Sequence, residues 1–300
     1  MLLPPLDVIL YMVLTGALVG LVSSYFGVGA CFIMVPVMIY FLESIYNVMP
    51  SLAPLIAFGT NMAIVVPTVA SGALRHRRIL MAKGMRFPTR HFKLFAIPVG
   101  FGSLFGAFMA YTFFESYRPI AGLILKTLFG VVCLIGAYRF LKAKPAPITE
   151  LRDPNPPKYI ASGFLSGAFA HFIGIGGGIV YMPVLNALLG VPLHAATPIS
   201  LATMVIGSSI GAVSFMAFGY ADQLLHPLDY PPLSLGWFNL IMWGFIGVSS
   251  IALAQVGPVL AHRTSPAKYK LLLAIIYFYI GLRLIVRGVC QSLGVIPIIP

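Results

Sequence analysis

Apolar residues gather into long runs along this chain, at about 7–26, 29–42, 52–74, 92–114, 118–141, 159–173, 177–190, 196–218, 235–255 and 268–288. Most of these runs reach the ~20 residues an α-helix needs to cross ~30 Å of hydrocarbon. Three are too short: 29–42, 159–173 and 177–190. Each adjoins a glycine cluster, Gly27-Val28-Gly29 or Gly174-Ile175-Gly176-Gly177-Gly178. The two-residue alternation of a barrel strand is absent. The pattern predicts membrane-spanning helices interleaved with broken ones.

Composition sharpens this picture. Of 300 residues, 59% are hydrophobic and 9% charged, against roughly 25% charged in ordinary soluble domains, so much of the surface must face lipid. The polar stretches 75–91, 142–158 and 219–235 are loop-sized, too short for a separate soluble domain. A net charge of +12 in a soluble protein would suggest nucleic acid. Here the basic residues fall between apolar runs, as in cytoplasmic loops of membrane proteins, and no nucleic-acid partner is expected. Cys31, Cys133 and Cys290 lie within apolar stretches without ligand spacing, so neither a disulfide framework nor a metal site is expected. No basic segment precedes the first apolar run, which reads as part of the mature protein.

An internal repeat organises the runs. Gly16, Gly20, Gly27, Gly29 and Pro36 recur at the same spacing as Gly163, Gly167, Gly174, Gly176 and Pro183, a constant shift of 147. Gly59-Thr60-Asn61-Met62-Ala63 with Gly72 matches Pro198-Ile199-Ser200-Leu201-Ala202 with Gly211, a shift of 139. Ala137-Tyr138-Arg139-Phe140 matches Gly281-Leu282-Arg283-Leu284, a shift of 144. The chain therefore divides into a first membrane repeat at 1–141, a cytoplasmic linker at 142–158 and a second repeat at 159–300.

Loop charge predicts that the repeats are inverted. Residues 75–93 carry seven basic side chains and no acid, whereas their counterpart 219–235 carries Asp222 and Asp229 and no Lys or Arg. The next pair of loops reverses, with Glu115 and Arg118 in one and Arg263, Lys268 and Lys270 in the other. Opposite orientation needs an odd number of crossings per half. Three spans per half satisfy this if 7–42 and 159–190 are hairpins returning to their own side, which puts both termini outside. The expected fold is an all-α polytopic membrane protein of two inverted-topology repeats. Each is a glycine-tipped broken-helix hairpin plus three transmembrane helices. Secondary transporters are built this way, with substrate sites near the midplane at the breaks.

The run Ser162-Gly163-Phe164-Leu165-Ser166-Gly167, then Phe172 to Gly178, Pro183-Val184-Leu185 and Ala196-Thr197-Pro198-Ile199-Ser200-Leu201-Ala202 resembles the signature of the sulfite exporter TauE/SafE family, the TSUP group of membrane permeases. The first half resembles it more loosely, and the similarity covers nearly the whole chain. The resemblance implies transport of sulfite, sulfonates or related anions, in either direction depending on the member. Two departures leave the substrate open: the first-half glycine triplet reads Gly29-Ala30-Cys31, and the usual Thr-Ser pair reads Thr60-Asn61 and Ile199-Ser200.

The candidate substrate-binding residues are Ser24, Gly27, Gly29, Thr60, Asn61, His171, Gly174, Gly176, Gly177, Gly178, Ser200 and Thr203. Tip glycines at a helix start can offer bare N–H groups to an anion, or can simply permit close helix packing. His171, whose repeat equivalent is Ser24, is an ionisable group at membrane depth; it either donates, titrates, or rests as a neutral core histidine. Thr60, Asn61 and Ser200 can cap helices or contact the ligand. Lys126 lies ~12 Å into its run by helix rise, reaching back to the interface or facing a cavity. Arg139 and Arg283 lie near helix ends, placed to snorkel, and the basic run 75–93 is placed to meet anionic lipid.

No Asp or Glu lies well inside any apolar run, and no nucleotide-binding or catalytic motif appears. A secondary transporter of the cytoplasmic (inner) membrane without cofactor is expected, taking a small anion, with a coupling proton or sodium ion and the oligomeric state left open. The alternative is an anion channel, and a membrane enzyme would want paired histidines that the spans lack.

Overall fold

The computed structural model describes residues 4–26, 29, 31–82, 87–142, 151, 153–256 and 266–292. They form an all-α polytopic membrane protein. The helices are α1 (Leu6–Phe26), α2 (Cys31–Ser44), α3 (Ala53–Ala82), α4 (Thr89–Ser116), α5 (Ala121–Lys142), α6 (Pro156–Phe172), α7 (Gly178–Pro183, continued by a π-helical turn at Val184–Leu188), α8 (Leu193–Leu225), α9 (Leu240–Ala254) and α10 (Pro266–Ser292). Among the described residues five segments are long and apolar enough to cross a membrane: Leu6–Tyr25, Ala53–Arg75, Thr89–Ser116, Ala121–Arg139 and Ala195–Leu225. Strands are absent among the described residues, apart from an isolated bridge between Ser234 and Asn239.

Two boundaries differ from the sequence expectation, and the length of α1 follows it. The linker ends at Asn155, not 158, because the Asn155 side chain accepts from the Lys158 amide at 3.3 Å and Pro156 starts the first turn of α6. The apolar run 235–255 yields a helix only from Leu240, ~22 Å long by helix rise, because Asn239 caps it by accepting from Met242 N at 3.1 Å. Finally, α1 has 21 residues, enough to cross by itself, so the first hairpin has one long arm and one short one.

Small residues set the packing. Helix α4 lies on α6, where a side-chain carbon at Gly163 would meet the Phe95 carbonyl at 2.6 Å and one at Gly167 would lie 2.5 Å from the Val99 carbonyl. Helix α1 lies on α9 in the same manner, Gly16 against the Ile246 carbonyl and Gly20 against that of Ser250. Without a hydrophobic drive between helices in lipid, such close approach is what holds spans together. The long helices α3 and α8 cross antiparallel at the centre, Gly59 beside Phe215 and Met62 beside Gly211. Helices α5 and α10 pair at one edge.

Three polar clusters tie the ends of the bundle. Lys126 is buried and donates to Glu43 at 2.9 Å and to Gln291 at 2.5 Å; Glu43 also accepts from Arg287 at 3.0 Å. Glu43, one residue past the apolar run 29–42 and at the end of α2, is therefore a carboxylate largely out of water. At a second place Arg118 binds Asp222 and, at 3.3 Å, Asp229. Tyr230 donates to Asp222 at 2.5 Å and accepts from Trp237 Nε1 at 3.1 Å. Burial would lower the pKa of the Arg118 guanidinium, but its bonds to Asp222 and Asp229 raise it overall. Burial, followed by the bond to Asp222, pushes the Tyr230 phenol up. The third cluster is exposed, Arg90 with Asp153 at 3.3 Å.

Candidate functional site

Two glycine tips approach the α3–α8 crossing. The second is fully described. After α6 the chain turns through Gly174, Gly176 and Gly177, with φ of 69°, 71° and 102°, and enters α7 at Gly178. These angles lie in the left-handed region that favours glycine. The amides of Val180 and Tyr181 return to the Gly177 carbonyl, and those of Gly174 and Ile175 to carbonyls of α6. Among the described residues the amides of Gly176, Gly177 and Gly178 make no hydrogen bond to a backbone carbonyl.

Both central helices hold this tip. Asn61 Nδ2 of α3 donates to the Gly174 carbonyl at 3.0 Å, and Ser208 Oγ of α8 donates to the Gly176 carbonyl at 3.2 Å. A side-chain carbon added at Gly176 would stand 3.5 Å from Ser208 Oγ, 3.7 Å from Asn61 Nδ2 and 3.9 Å from Val65. Gly174, by contrast, lies flat against the Phe58 ring, and Gly177 against that of Tyr181.

His171 ends α6 beside this tip. It is fully buried, and its Nδ1 lies 2.9 Å from the Gly167 carbonyl. Its Nε2 makes no well-formed hydrogen bond and faces the crossing, where a side-chain carbon at Gly211 would lie 2.9 Å from it and 2.6 Å from Met62 Sδ, and the Gly207 carbonyl of α8 is also beside the ring.

The first tip is described at Gly29 only, since Gly27 lies outside the described residues. Gly29 has φ of 61° and rests on the end of Met204 of α8. Ser200 and Thr203, on the same turn of α8 as Met204, are buried with unpartnered hydroxyls.

The structure thus gathers Asn61, His171, Gly174, Gly176, Gly177 and Gly178 at one tip, and Gly29 with Ser200 and Thr203 at the other. Two expected positions have their hydroxyls committed elsewhere. Ser24 donates to the Gly20 carbonyl of its own helix at 2.7 Å, and Thr60 donates to Ile56 while accepting from the Asn239 amide at 2.9 Å. Asn61 also changes role: its N–H is spent on the tip, and the atom left free is the acceptor Oδ1. Lys126, left open by the sequence, faces Glu43 and not the crossing. Sequence reasoning missed Ser208 and Tyr181. Ser208 had a legible signal, since Ser200, Met204, Ser208 and Gly211 follow helical spacing along one face of α8.

Comparison with known proteins agrees with this architecture. The model of the family described as "Sulfite exporter TauE/SafE" matches residues 12–284. A probable membrane transporter protein of Methanocaldococcus jannaschii is 24% identical over 275 residues, 90% of this chain and 93% of its own. The probable membrane transporter protein YunE of Bacillus subtilis is 25% identical over 303 residues, 93% of this chain and 97% of its own. A probable membrane transporter protein of Haemophilus influenzae is 29% identical over 237 residues, 77% of this chain and 81% of its own. No solved structure matches.

Proposed function

Because this chain belongs to the sulfite exporter TauE/SafE family, one of membrane transporters, we propose that it is a secondary transporter carrying a small sulfur-containing anion, sulfite or a sulfonate, by alternating access. The anion is held at the tips by bare backbone amides of Gly176, Gly177 and Gly178, joined from the other side by the Ser200 and Thr203 hydroxyls. Amides at a break point present N–H groups and a partial positive charge with no side chain in the way.

One observation carries this reading. Gly29 rests on Met204 and Gly176 lies by Val65, and these contacts are repeat equivalents: the tips are 147 residues apart, their supports 139. By helix rise Val65 lies ~18 Å along α3 and Met204 ~16 Å along α8, near the midplane of a ~30 Å core. Each tip therefore leans on the centre of the opposite half. The same exchange relates α1 on α9 to α6 on α4: Ile246 and Ser250 stand to Gly16 and Gly20 as Phe95 and Val99 stand to Gly163 and Gly167. Paired tips of inverted repeats around a central point are the arrangement that lets one repeat rock against the other. The polar clusters also join segments that loop charge puts on one side of the membrane.

The test is binding to the purified protein. Sulfite, thiosulfate, ethanesulfonate and acetate are screened by thermal shift, since a ligand of the folded state alone raises stability by mass action. Stabilisation by a sulfur oxyanion, lost in Gly176→Val, supports the reading. Equal shifts in wild type and variant, or none in either, overturn it.

A further inference from the structure

We infer that the anion moves together with a proton, and that His171 Nε2 is the atom that carries it. The inference rests on the second tip being the anion site.

A carbonyl oxygen only accepts, so the Gly167 carbonyl 2.9 Å from Nδ1 fixes the proton of the neutral ring on Nδ1. Nε2 then carries a lone pair, buried and without a well-formed hydrogen bond, on the side of Gly211 of α8 and Met62 of α3, with the Gly207 carbonyl of α8 also beside the ring. Asn61, next to Met62, binds Gly174, and Ser208, three residues before Gly211 on α8, binds Gly176. A bare acceptor beside a bound anion is repulsive, and Asn61 Oδ1 is another free acceptor there; the free Tyr181 hydroxyl against Gly177 is a neutral donor and brings no charge. Taking up a proton reverses this, turning Nε2 into a donor with a full positive charge.

Among the described residues Lys126 and Arg287 are tied to Glu43, Arg118 to Asp222 and Arg90 to Asp153. The elements packed against His171 bring no charge to its level. On α4, His91, Lys93 and Glu115 lie at the helix ends, and on α8 so does Asp222; α3 carries none before Arg75. The titratable side chain nearest along that face is Tyr181 of α7, its hydroxyl beside Gly207 and Ser103.

The cycle balances simply. Water on one side gives a proton to Nε2, forming an N–H bond; the anion binds; the tips turn to the other side; the anion leaves and the N–H bond returns its proton to water there. A monovalent anion with one proton carries no net charge, so the step is indifferent to membrane potential.

The experiment uses the full chain in liposomes with ethanesulfonate, which keeps one negative charge across the pH range. A pH dye reports protons inside the vesicles. Wild type should acidify the lumen as ethanesulfonate enters, with no response to an imposed potential, and its affinity should tighten by up to ~10-fold per pH unit of acidification. His171→Gln should abolish the proton signal and flatten the pH dependence. His171→Asn, which keeps a donor for the Gly167 carbonyl, should do the same if the Gln variant is poorly folded. Ethanesulfonate entry in wild type without lumen acidification, or acidification persisting in both His171 variants, overturns the coupling and leaves the site standing if Gly176→Val still loses binding. If Gly176→Val and His171→Gln both bind as wild type does, or wild type neither binds nor moves ethanesulfonate or sulfite, the site falls and the inference with it.

Discussion

The side-chain amide of Asn61 donates to the carbonyl of Gly174 across 3.0 Å and 113 residues of chain, so the first half of the protein holds the tip of the second. Asn61→Ala removes the donor to a buried carbonyl and should lower stability by about 1–3 kcal/mol. Asn61→Asp should do worse, setting carboxylate oxygens against that carbonyl and a negative charge beside the proposed anion. Thermal unfolding and ethanesulfonate binding check both variants. An Asp variant as stable as the Ala variant would mean that the contact is incidental.

The buried cluster at the end of α2 gives an ordering. Lys126 and Arg287 share one carboxylate, Glu43. Glu43→Gln leaves two cations facing each other out of water, a loss on the scale of about 3–5 kcal/mol for a broken buried pair. Lys126→Met keeps the Arg287–Glu43 pair balanced and should cost less. Unfolding of the two variants in one detergent decides it, and the reverse order would refute the charge count.

Alkaline pH should probe the other cluster. Because the folded protein holds the Tyr230 proton more tightly than the unfolded chain does, its contribution is fully present below the ordinary tyrosine value near 10 and is lost as pH rises above it. Tyr230→Phe should show a shallower alkaline fall, and near neutral pH a loss of about 1 kcal/mol for the missing bonds. Parallel stability curves above pH ~10 would dissociate Tyr230 from that slope.

Sidedness is open to direct labelling on a background lacking Cys31, Cys133 and Cys290. Leu228, 98% exposed, lies beside the Arg118–Asp222–Asp229 cluster, and Asp153 pairs with Arg90 of the basic loop. In intact cells a membrane-impermeant maleimide should reach Leu228→Cys and reach Asp153→Cys only after permeabilisation. The opposite pattern would invert the topology.

The sequence disclosed the helices, because continuous apolar runs have few other uses in a chain this poor in charge. It disclosed the tips too, since glycine spacing survives in both halves. It did not disclose where α9 begins, because Leu233, Leu235 and Trp237 are as apolar as any span. Positive φ at Leu233 and Gly236 bends that run into a loop that buries Trp237 against Phe114 and Phe215 while Leu233 and Leu235 stay half exposed. Hydropathy does not separate a helix from a loop that is equally apolar. Nor did it pair Glu43 with Lys126, 83 residues away. Partner identity is a tertiary fact, and a carboxylate one residue past an apolar run looks solvated until a cation is brought to it.

The glycines of the tip make the last prediction, because they separate packing from backbone need. At Gly174 an added carbon would collide with the Phe58 ring, so Gly174→Ala should fail to fold or insert. At Gly176 the nearest atom to an added carbon is 3.5 Å away, an ordinary contact, so packing does not forbid Ala there. The backbone at φ 71° does resist it, at a cost of roughly 1–2 kcal/mol. Gly176→Ala should therefore insert, survive purification with a modestly lowered melting temperature, and lose anion affinity as the tip relaxes away from its left-handed turn. Inserted protein, melting temperature and ethanesulfonate binding are measured side by side. Were Gly176→Ala to bind normally while Gly174→Ala alone failed, the tip would be a packing device and the anion would bind elsewhere.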